Sequence, residues 1–145
     1  MGDINNKEQN VVYLSLLEKS LEKKAAILEQ LIELTEEQKT LIDDDKLATD
    51  QFNDIFDKKS ELIKQLNELD NGFEQLYQRV RDELNANPGG FKMQIEQLKK
   101  LITDVTDKGV RLQASERRNK ERIDSYLRNK RESIKNFKVN SKTAS

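Results

Sequence analysis

The chain has 145 residues, of which 34% are apolar and 37% charged, with one Pro and five Gly; this composition is typical of long amphipathic helices. It has no Cys and no His, which excludes disulfides, thiol catalysis, Cys/His zinc sites and His-based triads. No stretch approaches the roughly 18 apolar residues of a membrane span, and the acidic start does not fit a signal peptide, so we expect a soluble cytoplasmic protein.

A first helix is predicted from 7 to 43. Asn6 is a suitable N-cap, with Gln9 three residues later in the reciprocal capping position. Apolar residues then recur at spacings of three, four and seven, which is the period of a helix and not of a strand. They are Leu14, Leu17, Leu21, Leu28 and Leu31, with Ile27, Leu34 and Leu41 on a flanking row. The adjacent acids Asp43, Asp44 and Asp45 oppose the helix dipole and predict a turn.

A second helix is predicted from 47 to 86, with three apolar rows at a step of seven. The rows are Phe52, Leu66, Phe73 and Val80; Phe56, Ile63, Tyr77 and Leu84; and Ile55, Leu62, Leu69 and Leu76. Such a wide stripe predicts a helix that contacts two neighbours. Because the rows continue through Asn71-Gly72, we expect no break there, and we expect Gly72 to allow close helix approach near Val105 and Gly109.

The Asn87-Pro88-Gly89-Gly90 segment predicts a loop, since Pro lacks a donor and Gly permits positive φ. A third helix follows at 91–138, with apolar residues at Phe91, Ile95, Leu98, Ile102, Val105 and Leu112. Short connections make neighbouring helices antiparallel, so we predict an all-α antiparallel bundle of three long helices, a rod about 55–65 Å long. A two-helix hairpin completed by dimerisation is the alternative. We treat 1–145 as one helical domain.

The charge of the chain reverses near its end. Up to Glu116 there are 16 basic and 24 acidic residues, a net charge of −8; from Arg117 to Lys142 there are 10 and 3, a net charge of +7. The reversal falls where the apolar pattern of the last helix pauses, after Leu112 and Ala114. Residues 117–145 are therefore a basic C-terminal segment, whose mobility the sequence leaves open.

This segment carries the candidate partner-binding residues. An apolar face at helical spacing consists of Ile123, Tyr126, Leu127, Ile134 and Phe137, and the basic residues around it include Arg117, Arg118, Arg122, Arg128 and Arg131. One interpretation is that the face closes the far end of the bundle, with Ile123 and Tyr126 near Asp50 to Asp54. Another is an exposed amphipathic helix that docks on a partner's apolar groove or helix.

Other chemistry is disfavoured. Nucleic-acid binding is weakened by the acidic rod behind the segment, and membrane binding by a small face without Trp. The acids around Asp43 to Asp50 lack the Gly and distal Glu of a calcium loop, and Gly89-Gly90 lacks the Lys of a phosphate loop. We therefore expect no enzymatic activity, no metal and no cofactor.

Two blocks of sequence resemble FlgN-family flagellar export chaperones of Gram-positive bacteria. The first is Lys59-x-x-Leu62-Ile63 leading into Leu69-Asp70-x-Gly72-Phe73-x-x-x-Tyr77-x-Arg79-Val80. The second is Ile95-x-x-Leu98-x-x-Leu101-Ile102-x-Asp104-Val105-Thr106-Asp107, then Gln113-Ala114-x-Glu116-x-x-Asn119. The resemblance extends over most of the chain, from about Tyr13 to Ser141.

The resemblance implies a small cytosolic chaperone without ATP. Its partners would be the flagellar hook–filament junction proteins, whose terminal helices it holds, and a component of the export gate. The end of the last helix would bind them, and Tyr126, as the tyrosine of that region, would contact the gate. We expect no nucleic-acid partner, no stable membrane insertion and a monomer or homodimer.

Overall fold

The computed structural model describes the backbone of residues 2–144 and the side chains of residues 8–87 and 89–137. Its elements are α1 (Gly2–Asp43), α2 (Asp50–Ala86), a 3₁₀ turn at Pro88–Phe91 and α3 (Lys92–Ala144). There is no strand in the described backbone. The predicted all-α bundle of three long helices is therefore confirmed.

Each of the three helices differs from prediction at one end or both. The α1 helix begins at Gly2, so the predicted cap Asn6 lies within helical backbone; its side chain is outside the described residues. The α3 helix continues to Ala144, beyond the predicted end at 138. The α2 helix begins at Asp50, because the Thr49 hydroxyl accepts a hydrogen bond from the amide of Phe52 and caps its first turn.

The acids after α1 end that helix, as predicted. The amides of Asp45 and Lys46 donate to the carbonyls of Ile42 and Leu41, which is the paired bonding of a Schellman motif. That motif requires a left-handed residue, and Asp45 adopts it with φ of 59°. The motif thus satisfies the last carbonyls of α1 and reverses the chain toward α2.

The leucine row of α1 forms the centre of the core. Leu14, Leu17 and Leu31 are fully buried, and Leu21 and Leu28 nearly so. Of these, Leu14, Leu17, Leu21 and Leu28 pack in one cluster with Val80, Leu84, Phe91, Leu98 and Val105 from the other elements. Because the apolar residues of α1 recur at helical spacing, a single helix supplies the surface on which both neighbours pack.

The α2 and α3 helices both pack along α1, and their backbones remain apart from each other. No Cα atom of α2 lies within 8 Å of one of α3 in the described chain, whereas both pack along α1. The predicted contact of α2 with two neighbours is made through side chains: its backbone packs along α1, while it reaches α3 through the Lys59–Glu116 ion pair and the shared core. Because the backbones of α2 and α3 stay apart, Phe56, Ile63 and Tyr77 are exposed although the periodicity predicted burial; Leu84, the fourth residue of that row, is buried.

The Asn71-Gly72 pair lies inside a continuous α2, as predicted. Close helix approach at Gly72 is not observed. A Cβ atom built on Gly72 or on Gly109 meets no other atom within 4 Å, so neither position requires glycine for packing. The prediction of close approach assumed that α3 packs against α2, and it is wrong because α3 packs against α1.

Candidate functional site

The α3 helix extends past the end of α1. The Nε atom of Arg122 lies 3.7 Å from a carboxylate oxygen of Asp43, the last residue of α1, so the two helices are level there. From Arg122 to Ala144 the helix continues for about 33 Å at roughly 1.5 Å per residue. Every side chain of residues 127–137 is exposed. We call residues 127–137 the overhang.

The overhang presents an apolar face to solvent. Leu127, Ile134 and Phe137 are 42%, 56% and 73% exposed. Their spacings of seven and three place them on one side of the helix. Large apolar side chains grouped on an exposed face are typical of an interaction surface. Of the five predicted apolar residues, these three are together on the overhang, while Ile123 and Tyr126 are half-buried at its base.

The predicted basic residues also divide into exposed and half-buried side chains. Arg117, Arg118, Arg128 and Arg131 are exposed. Arg122 is half-buried; it pairs with Asp43 and donates a hydrogen bond of 3.3 Å to the Asn119 side chain. Arg122 therefore joins α3 to α1, whereas Arg128 and Arg131 project from the overhang.

Tyr126 is at the base of the overhang, beside the end of α1. The neighbouring Asp45 carboxylate, chiefly as a hydrogen-bond acceptor for the Tyr126 hydroxyl, raises the phenol pKa above the ordinary value, and partial desolvation adds to this. Lys130 lowers the pKa of Tyr126 and so offsets part of this rise. Its Nζ atom lies 5.4 Å from the Tyr126 ring centroid and 4.0 Å from an Asp45 oxygen. Tyr126 and Lys130 of α3 thus both lie beside Asp45 at the end of α1.

The acids that contact the basic segment come from the end of α1. Asp43 pairs with Arg122, and Asp45 contacts Tyr126 and Lys130. The predicted neighbours, Asp50 to Asp54 of α2, make no ion pair with it among the described residues, although Phe52 of that stretch lines the same surface groove as Ile123. The reason is again that α3 runs parallel to α1 and lies against it.

A buried polar layer, which the sequence analysis missed, joins all three helices just below the overhang. It consists of Thr35 and Gln38 of α1, Lys59 of α2, and Glu116 and Asn119 of α3. Lys59, only 7% exposed, forms an ion pair with Glu116 and donates a 2.8 Å hydrogen bond to Gln38. Asn119 donates a 2.8 Å bond to the Thr35 carbonyl. No buried polar side-chain atom in the described residues lacks a partner.

A sequence signal for this layer existed. Lys59 stands on the helical face of Ile55 and Leu62, and Thr35 and Gln38 interrupt the apolar row of α1 between Leu31 and Leu41. In an antiparallel pairing these interruptions fall at the same level. Matched polar positions on facing stripes predict a buried hydrogen-bonded layer.

Two kinds of function find no support in the described residues. They contain no group of three or more acids positioned to hold a metal ion. No described helix is long and apolar enough to cross a membrane. The structural features that remain are the overhang, its polar support and the exposed side of the bundle, all of which suit the binding of another macromolecule.

A comparison with protein families gives a match to the family described as FlgN protein over residues 14–145. The chain belongs to the FlgN family. Comparisons with curated proteins and with solved structures gave no match. The FlgN range covers the polar layer and the overhang as well as the Gly72 segment of α2, which confirms the resemblance recognised in the sequence.

FlgN proteins are flagellar export chaperones and not an enzyme family. Within this FlgN chain, the Leu69-Asp70-x-Gly72-Phe73 segment lies in the middle of α2 and is part of the helical scaffold. The exposed apolar face lies instead at the end of α3. The predicted partner-binding residues therefore fall into three groups: an exposed group on the overhang, a half-buried group at its base (Arg122, Ile123 and Tyr126), and the exposed Arg117 and Arg118 beside the polar layer.

Proposed function

We propose that this protein is a cytoplasmic export chaperone for flagellar hook–filament junction proteins. It binds their terminal helices and presents them to the flagellar export gate, without catalysis. The family supports the general activity. The observation that supports the location of the binding surface is the overhang, in which Leu127, Ile134 and Phe137 are exposed on one side of a helix that extends beyond its neighbours.

The overhang has the physical properties that such binding needs. A helical segment with few tertiary contacts, here chiefly that of Lys130 with Asp45, is marginally stable in water, so it gains order when another helix covers it. The contact buries apolar area worth about 25 cal/mol/Å² before the cost of ordering is subtracted. A cargo helix that would otherwise associate prematurely is shielded by the same contact. Helix binding by an apolar face is a common recognition mode.

The charge of the overhang defines the preferred cargo. Arg128, Lys130, Arg131 and Lys135 surround the apolar face, against the single acid Glu132. Opposite charges across an interface raise the association rate and select among partners. The chaperone therefore favours cargo helices with acidic residues beside their apolar stripe, and binding weakens with salt.

We also propose that Tyr126 contacts the export gate. It lies where the overhang leaves the bundle, beside Asp45 at the end of α1. A Tyr126→Phe variant that binds cargo normally but exports it poorly would agree with this role.

The binding proposal is tested by measuring the affinity of the full chain for a junction protein by calorimetry. Replacing Leu127, Ile134 and Phe137 with Ser should weaken binding at least about tenfold, because apolar anchors dominate such interfaces. The control is Met93→Ser, which removes a side chain that is 81% exposed at the opposite end of the rod. Unchanged affinity of the triple variant, with normal helicity, would overturn the proposal.

A further inference from the structure

The gap between α2 and α3 forms an open groove beside the polar layer. The groove has a volume of about 630 Å³. Its walls are Phe52, Phe56 and Ile63 of α2 and Leu112 and Ile123 of α3. In a three-helix bundle whose helices all contact each other, these side chains would cover one another. Here the two walls remain separate because the backbones of α2 and α3 pack along α1 and do not approach each other.

The walls are apolar and accessible. Phe56 and Ile63 are 60% and 46% exposed, while Leu112 and Ile123 are half-buried. The walls run from Phe52 to Ile63 and from Leu112 to Ile123, which is about three helical turns, or about 16 Å, on each side. A helix of about a dozen residues matches that length. Helix packing distances of roughly 8–10 Å also allow it to contact both walls.

The floor of the groove needs no polar partner. Gln38, Lys59 and Glu116 line it, and they bond to each other as members of the polar layer. Since Lys59 and Glu116 neutralise each other, the remaining charge among the lining residues is that of Lys120, which is exposed and pairs with no described carboxylate. The groove therefore suits an apolar stripe with an acidic residue on the side that faces α3.

We infer that this groove is a second docking surface, which binds an acid-flanked amphipathic helix as the fourth helix of the bundle. The inference rests on the proposed function, because we take this helix to belong to the same exported cargo. Ile123 lines the groove and also lies on the apolar face that continues into the overhang. The two surfaces are thus continuous, and a cargo helix or helical pair extends from one to the other.

The first test weakens the groove and leaves the overhang intact. The double variant Phe56→Ser/Ile63→Ser removes two exposed side chains, and Lys120→Glu reverses the charge. We expect each to weaken binding of a junction protein about tenfold while helicity and melting temperature remain normal. The matched controls are Met93→Ser and Lys100→Glu, exposed residues near the opposite end of α3, and they should bind normally.

The second test uses the absence of cysteine. Ser60→Cys places a single thiol on the groove, and Ser15→Cys places one on an exposed site of α1 as a control. A spin label at position 60 should become immobilised when a junction protein is added, whereas a label at position 15 should not. Since the full chain is used and Ser60 is the only lining residue changed, the label reports on the groove while its apolar side chains stay in place.

The outcomes separate the two proposals. If groove variants bind normally and the label at position 60 stays mobile while overhang variants lose binding, the inference is wrong and the proposed function stands. A label at position 60 that is already immobile without cargo would show that something else occupies the groove. If dilution makes the label mobile, the occupant is a second copy; if removal of residues 138–145 does so, it is the chain's own end. In both cases the inference is wrong. Loss of junction-protein binding in both the groove variants and the overhang variants supports the inference.

Discussion

Lys59 of α2 and Glu116 of α3 form an ion pair between two helices whose backbones do not approach each other. The long lysine side chain passes over α1, where Gln38 accepts a hydrogen bond from the same ammonium group. The main apolar cluster reaches Leu112 on α3, and the pair lies about one turn beyond it, where it links α3 to α2. A polar layer of this kind contributes more to the register between the helices than to the free energy of unfolding.

Replacing Lys59 with Met should destabilise the fold by about 1–2 kcal/mol, because Gln38 and Glu116 lose their shared donor. Glu116 is partly exposed, so water compensates for some of the loss and the cost stays below that of a fully buried charge. Urea unfolding measures the change. The control Lys58→Met alters an exposed neighbour and should shift stability by less than about 0.5 kcal/mol. Equal effects at the two positions would show that the ion pair contributes nothing specific.

The sequence predicts the helices of this fold better than it predicts their arrangement. The leucine row of α1, the turn after Asp43 and the loop at Pro88 all follow from local periodicity and backbone chemistry. Periodicity also shows that Phe56 and Ile63 share a face, yet it does not show how many helices cover that face. These side chains are exposed because the backbone of α3 packs against α1 and not against α2, and that arrangement depends on many contacts along the helices.

The candidate site shows the same limit. The apolar spacing of Leu127, Ile134 and Phe137 was visible in the sequence, and so was the basic charge around it. Which acids would contact that segment depended on the helix pairing, and Asp43 and Asp45 took the place of the predicted acids of α2. Polar contacts between distant residues follow from the packing, so they become predictable only after the packing is known.

Asp45→Gly should stabilise the protein by about 0.5–1 kcal/mol. Asp45 is a non-glycine residue with a φ of 59°, and glycine adopts that conformation without the steric cost of a Cβ atom. The variant also loses the contacts with Tyr126 and Lys130, but these lie near the surface and contribute little. Thermal unfolding measures the sum, and Asp44→Gly, where the backbone angle is ordinary, should destabilise or have no effect. A lower melting temperature for Asp45→Gly would mean that the Tyr126 contact outweighs the backbone strain.

Tyr126 gives a pH dependence with a defined sign. Its pKa in the folded chain is raised above the ordinary value of 10.0, chiefly because its hydroxyl donates to Asp45. The contribution of this bond to stability is therefore complete below about pH 10 and is lost as the pH rises through the folded pKa. NMR titration of ¹³C-labelled tyrosine should show the Tyr126 pKa moving down, toward 10.0, in Asp45→Asn. A titration unchanged by that substitution would show that the hydroxyl does not bond to Asp45 in solution.

Two C-terminal truncations at different positions should have different effects: the shorter deletion should remove cargo binding, and the longer one should also reduce the stability of the fold. A chain that ends after Tyr126 lacks the overhang but keeps Glu116, Asn119 and Arg122, so the three helices remain joined. We expect its urea midpoint to stay close to that of the full chain while its affinity for a junction protein falls at least about tenfold.

A chain that ends after Glu116 is the informative comparison, since it removes Asn119 and Arg122 as well. It loses the hydrogen bond to the Thr35 carbonyl and the ion pair with Asp43, so its stability should fall by about 2–3 kcal/mol. Circular dichroism during urea unfolding measures both truncations. If the chain ending after Tyr126 unfolds as readily as the shorter one, residues 127–137 stabilise the bundle directly. The exposed side chains of the overhang would then have to pack on the rod in solution, and the overhang would be a closing element of the fold instead of a free binding surface.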